Sequence, residues 1–166
     1  MAEKNNVTES IRDYFDSQNW KYRYDEDKGL FRMFMHIRVD DVDACEVRTI
    51  VRDERRFTTF VTFPFRVPEK KRAIAASFIS RANYKLLLGC FEMDYRDGEI
   101  QYKTTCLCGN IRLEPQYIER QVDVGIQMAE QYGAGLVDVL FRGASVEEVI
   151  AEIERREEED REDGED

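Results

Sequence analysis

From Leu30 to Phe65 apolar and polar residues alternate with a period of two, which predicts strands rather than helices. Phe31, Met33, Met35, Ile37 and Val39 share one face, and Cys45, Val47, Thr49 and Val51 continue it. Phe57, Thr59, Val61 and Phe63 complete it. Asp40–Asp43 and Asp53–Arg55 interrupt the pattern with turn residues, so the stretch reads as a three-stranded antiparallel meander. Two further alternating runs flank Asp97-Gly98, a pair suited to a two-residue hairpin turn. That loop sets Arg96 opposite Glu99, Tyr95 opposite Ile100, Met93 opposite Tyr102 and Phe91 opposite Thr104, with the apolar residues on one side of the ribbon.

The other periodicity, i, i+3 and i+4, marks the helices. Thr8–Trp20 carries Ile11, Tyr14, Phe15 and Trp20 on one side, with Thr8 or Ser10 placed to cap it. Pro68 and Glu69 open a helix to Ala82 whose buried stripe is Ile74, Ala75, Phe78, Ile79 and Ala82. After a loop around Gly109-Asn110, Pro115 opens a long helical segment to Phe141, lined by Ile118, Val122, Ile126, Ala129, Leu136, Val137 and Leu140. Gly133-Ala134-Gly135 predicts a kink or break, and Gly143 ends the segment. Ser145-Val146-Glu147-Glu148 reads as a capping box for a last helix built on Val146, Val149, Ile150 and Ile153. The fold class is therefore α+β: a five-stranded antiparallel sheet, ordered as meander, helix and hairpin, with helices on one face.

One stretch carries a family resemblance. Asn83-Tyr84 leaves a helix, Gly89-Cys90-Phe91-Glu92-Met93-Asp94 follows, and Asp97-Gly98-Glu99-Ile100 leads to Tyr102-Lys103-Thr104. This resembles the YbjN family of bacterial proteins, described as sensory-transduction regulators, which in turn resembles the type III secretion chaperones in fold. The element order extends the likeness over Ile11 to Ile153. The resemblance implies a type III secretion chaperone-like binding or regulatory module, with no catalytic residues to carry over.

Composition narrows the class. The 166 residues suffice for one core, expected over residues 1–153. Glu152–Asp166 holds ten acids and three arginines, so it supplies −7 of the net charge of −10 and reads, from residue 154, as an acidic disordered tail. Basic residues elsewhere are mixed with acids, which gives no nucleic-acid footprint. No apolar run approaches a membrane span or a leader, so a cytoplasmic protein with reduced cysteines is expected.

Little catalytic chemistry suggests itself. The Asp25–Gly29 turn lacks the spacing of a calcium loop. His36 is the single histidine and alternates onto an arginine-rich strand face, which disfavours a nucleophile pair. Zinc would join Cys90, Cys106 and Cys108, but the hairpin register turns Cys90 to the other side of the sheet. No metal or cofactor is therefore expected, and a redox role for Cys106 and Cys108 stays open.

The strand face opposite the core is the candidate binding surface. It carries Arg32, Phe34, His36 and Arg38, then Glu46, Arg48, Ile50 and Arg52, then Thr58, Phe60 and Thr62. A five-residue first turn sets Phe34 against Ile50 and Arg38 against Glu46. Arg32, Phe34, Arg48, Ile50 and Phe60 are the expected contacts for a protein partner, by a regulator or chaperone-like binder that is not an enzyme. The alternatives are a small-ligand sensor or enzyme with a pocket between the sheet and the long helix, and a homodimer. The dimer interface would be Gly125, Ala129 and Gly133, small residues spaced every four positions.

Overall fold

The computed structural model describes residues 7–109 and 113–163. The chain runs α1 (Val7–Ser17), β1 (Tyr22–Asp25), β2 (Leu30–Val39), β3 (Val42–Asp53), β4 (Arg56–Arg66), α2 (Arg72–Asn83), β5 (Cys90–Met93), β6 (Glu99–Leu107), α3 (Pro115–Val137) and α4 (Val146–Asp163). The sheet is antiparallel, in the order β1-β2-β3-β4-β6-β5. Among the described residues it has six strands, because Tyr22–Asp25 adds an edge to the expected five.

Alternation delivers the core. Phe31, Met33, Ile37, Val39, Cys45, Val47, Phe57, Val61 and Phe63 are all buried on the sheet's inner face. Each fully buried large side chain contributes roughly 1.5–3 kcal/mol. Against them α3 lays Ile118, Val122, Ala129 and Leu136. The two faces approach closely at Gly125, where a β-carbon would stand 2.6 Å from Val61 Cγ2. α2 packs beside α4 and β5 through Ala75, Phe78, Ile79 and Ala82, and Ile74, one helical step off that stripe, is left 39% exposed.

Several local expectations are corrected. The β2–β3 and β5–β6 registers both differ from expectation by an even number of residues, which changes partners but keeps faces. In the β5–β6 hairpin Phe91 pairs with Tyr102 and Met93 with Ile100. Five residues, Asp94–Gly98, join the strands, and Asp94 organises them: its N–H donates to the Glu99 carbonyl at 2.9 Å and its own carbonyl accepts from Gly98 at 2.8 Å. Gly98, at φ 78°, has the Val67 backbone pressed against it, leaving no room for a side chain. Between β2 and β3 the turn is only Asp40-Asp41, with an irregularity between His36 and Val39. Phe34 therefore opposes Glu46 rather than Ile50. Arg38 does not meet Glu46, since Glu130 of α3 takes it.

The helices also depart from expectation. α1 ends at Ser17, with Trp20 folded back on Tyr14 and Phe15. α3 runs unbroken through Gly133-Ala134-Gly135, and the irregularity comes later as a π turn over Asp138–Arg142, closed by Gly143 at φ 77°. Ser145 caps α4 by accepting the Glu148 N–H at 3.4 Å, while its own hydroxyl donates to Glu147. The acidic segment expected to be disordered is helical through Asp163. Arg155 and Arg156 both reach Glu152, Arg155 also holds Glu159, and Arg161 lies beside Glu157. Such i, i+3 and i, i+4 pairs lie on one exposed helix face and favour the helix only slightly, because solvent screens them. The expected loop around Gly109-Asn110 and the last three tail residues lie partly or wholly outside the described residues.

Candidate functional site

The sheet's outer face is crossed by rows of side chains that the pairing fixes. One row reads Arg23, Arg32, Arg48, Phe60, Lys103 and Cys90 across all six strands. The next reads Phe34, Glu46, Thr62, Gln101 and Glu92. On the other flank lie Leu30, Ile50, Thr58 and Thr105. The cationic row thus runs beside a row with two carboxylates, and the two bond across it.

Arg32 Nε lies 2.9 Å from Glu46. Arg48 donates to Gln101 at 2.8 Å and to Thr62 at 3.2 Å, with its guanidinium 5.5 Å from the centre of the Phe60 ring. Gln101 donates to Glu92, whose other oxygen takes Lys103 at 2.6 Å. Glu99 receives Arg66 at 2.7 Å. Thr58 and Thr105 share a hydroxyl hydrogen bond of 3.2 Å. Most charges on this face are spent on each other, which holds the arginines in place and leaves apolar tips and edge cations available for contact.

The five expected contact residues, Arg32, Phe34, Arg48, Ile50 and Phe60, do come together on this face. Phe34 is 70% exposed, whereas Ile50 and Phe60 are half-buried among their neighbours. Sequence reasoning missed Lys21 and Arg23, which belong to the unforeseen edge strand and its approach. It also left out Gln101 and Lys103, although they alternate with buried Ile100, Tyr102 and Thr104. Exposed Leu107 extends the face along β6.

The expected dimer stripe has a different use. Gly125 faces Val61 and Tyr102, Gly133 faces Phe63 and Val39, and Ala129 is fully buried. These small residues let α3 sit close on its own sheet, so they are not open to a second copy in this fold.

Other candidate chemistry is modest. Among the described residues no three or more His, Cys, Asp or Glu side chains converge to hold a metal. Cys106 and Cys108 have their sulfurs 3.8 Å apart on the inner face, opposite to the face that Cys90 shares with Lys103. Burial raises both thiols, Cys108 to about 12, and likewise lifts Cys45 to about 12. They are therefore protonated apolar groups at neutral pH rather than nucleophiles. His36 Nδ1 donates to the Asp43 carbonyl at 3.1 Å and so anchors a turn. No described helix is long and apolar enough to cross a membrane.

A family model named YbjN, described as "Putative bacterial sensory transduction regulator", matches residues 8–137. Among solved structures the chain is similar to YbjN from E. coli, described as "a putative transcription regulator", with a TM-score of 0.56 and 7% identity over 77% of this chain and 89% of that one. It is also similar to a chain of the HopA1-SchA chaperone-effector complex, with a TM-score of 0.50 and 11% identity over 76% of this chain and 91% of that one. At these identities the likeness is one of fold. No curated protein matches the chain.

Proposed function

We propose, from the fact that this chain belongs to the YbjN family, that it is a non-catalytic protein-interaction module, a regulator or chaperone-like binder that takes a client segment on the outer face of its sheet. The supporting observation is asymmetry. The buried side chains of α1, α2 and α3 join the core formed by the sheet's inner face, while the outer face carries exposed Phe34 among ordered arginines. A large aromatic held in water beside pre-positioned guanidinium groups favours protein recognition over catalysis. The similarity to a chain of a chaperone-effector complex points the same way, toward a protein partner. In this reading the protein works in the cytoplasm as a soluble binder.

The test is affinity capture with Phe34→Ser, Ile50→Ser and Phe60→Ser variants. The reading predicts loss of a captured partner while the melting temperature stays within a few degrees. Variants that retain the partner contradict the reading, and variants that fail to fold assign the face a structural role instead. The alternative of a pocket between sheet and long helix finds that space filled by Val61, Tyr102, Ile118 and Val122 around Gly125.

A further inference from the structure

The two strands at one edge of the sheet do not match in length. β2 has ten residues and β1 has four. Their pairing runs from Asp25 opposite Leu30 to Tyr22 opposite Met33 and stops there. Beyond that point the Trp20 ring packs on Tyr14 and Phe15, with ring centres 5.6 and 5.4 Å away, so the chain leaves the sheet. β3 continues along the other side of β2, opposite Phe34, Met35 and His36. From Phe34 onward, therefore, no described strand lies on the outer edge of β2.

An antiparallel strand turns alternate main-chain groups to each side, so this half-strand offers unpaired N–H and C=O groups outward. Its far end is closed. The Arg38 N–H donates to Glu130 Oε1 at 2.9 Å, and the Arg38 guanidinium reaches Oε2 at 3.2 Å. The open interval is Phe34–Ile37, roughly 13 Å of strand, about the length of β1 itself.

The interval adjoins an open hollow of about 730 Å³ lined by Trp20, Lys21, Arg23, Arg32 and Phe34 among others. Lys21 and Arg23 are exposed, and among the described residues neither forms an ion pair. Asp16, the one acid in the lining, already accepts the Tyr22 hydroxyl at 2.8 Å. The hollow is thus basic in a chain whose net charge is −10.

We infer that the outer edge of β2 at Phe34–Ile37 accepts an extended acidic segment of a partner protein as an added strand in line with β1. Lys21 and Arg23 meet its carboxylates, and Phe34 meets an apolar side chain of the segment. Main-chain hydrogen bonds supply the docking and the charges choose the sequence. A second copy of this chain is a poor occupant, because pairing two such edges brings Lys21, Arg23 and Arg32 of both copies together. The inference rests on the proposed protein-binding role and gives that role a site and a ligand chemistry.

The experiment uses the full chain and a short synthetic peptide alternating glutamate with valine. Two controls accompany it: the same peptide with lysine for glutamate, and a version N-methylated at alternate amides. Binding is read by titration and by amide NMR shifts. The acidic peptide should bind at least ~10-fold tighter than the lysine peptide, shift the Phe34–Ile37 amides, and lose binding on N-methylation. A Lys21→Glu, Arg23→Glu double variant should keep its melting temperature and reverse the charge preference. Shifts concentrated at Phe60 and Gln101 would overturn the edge assignment while supporting the broader face. Indifference to charge or to N-methylation, or no binding of the acidic peptide, would overturn the edge assignment and leave the partner capture above to decide the broader role.

Discussion

The side-chain amide of Asn83 holds the main chain of Phe91 at both of its polar groups. Its Nδ2 donates to the Phe91 carbonyl at 2.8 Å, and its Oδ1 accepts the Phe91 N–H at 2.8 Å. The amide reproduces the pair of bonds that a neighbouring strand would make, and so closes the free edge of β5 while fastening it to the end of α2. Removing it leaves two half-buried main-chain groups without a protein partner. Asn83→Ala should destabilise the protein by about 1–3 kcal/mol, a fall of several degrees in melting temperature. A melting temperature unchanged by calorimetry would show that water replaces the amide at no cost.

Gly125 sets the distance between α3 and β4. An alanine there would place its β-carbon 2.6 Å from Val61 Cγ2. The overpacking costs roughly 1–3 kcal/mol, against about 1 kcal/mol gained in helix propensity, so Gly125→Ala should lower stability on balance. The mass by light scattering should be the same for both proteins. A stabilised variant, or one with an altered oligomeric state, would return the small-residue stripe to the surface.

Three buried tyrosines predict an alkaline limit. Burial raises Tyr102 to about 12, and burial with the charges of Glu119 and Asp123 raises Tyr14 to about 12. Burial and the Glu157 carboxylate raise Tyr132 as well. The unfolded value is 10.0, so the neutral hydroxyls favour the folded state fully below pH 10. That contribution is lost as pH rises from 10 through 12. Melting temperature should fall across this window, and tyrosinate absorbance should lag behind that of free tyrosine. Titration of every tyrosine near 10 without unfolding would contradict the burial.

Truncation after Ile153 probes the end of α4. Glu154–Asp163 continues the helix, and Glu157 there accepts hydrogen bonds from Gln131 and from the Tyr132 hydroxyl. The truncated protein should lose helical circular dichroism in proportion to that segment and about 1–2 kcal/mol of stability. An unchanged spectrum would show the segment to be non-helical in solution.

Much of this arrangement is legible in the sequence because one period dominates Leu30–Phe65. Inner residues such as Phe31, Val47 and Val61 and outer ones such as Arg32, Arg48 and Phe60 were separated by alternation alone. Partners across the ladder were not, since distant groups set the turns. Val67 presses on Gly98, Arg142 reaches Asp41 at 2.6 Å, and Glu130 takes Arg38. β1 escaped notice because four residues hold too little alternation to register beside the helical pattern before them. The acidic segment was misread because composition counts its charges, whereas a helix arranges Arg155 and Arg156 beside Glu152. The open edge of β2 depends on where β1 stops, which no local pattern encodes.

Whether the sheet's outer face meets another protein is decided by site-specific photo-crosslinking in cells that make the protein. A benzophenone amino acid at Phe34 should yield a discrete crosslinked protein, while the same probe at Ile74, exposed on α2, should not. Equal crosslinking at both positions, or none at Phe34 in a folded and expressed variant, would contradict that contact.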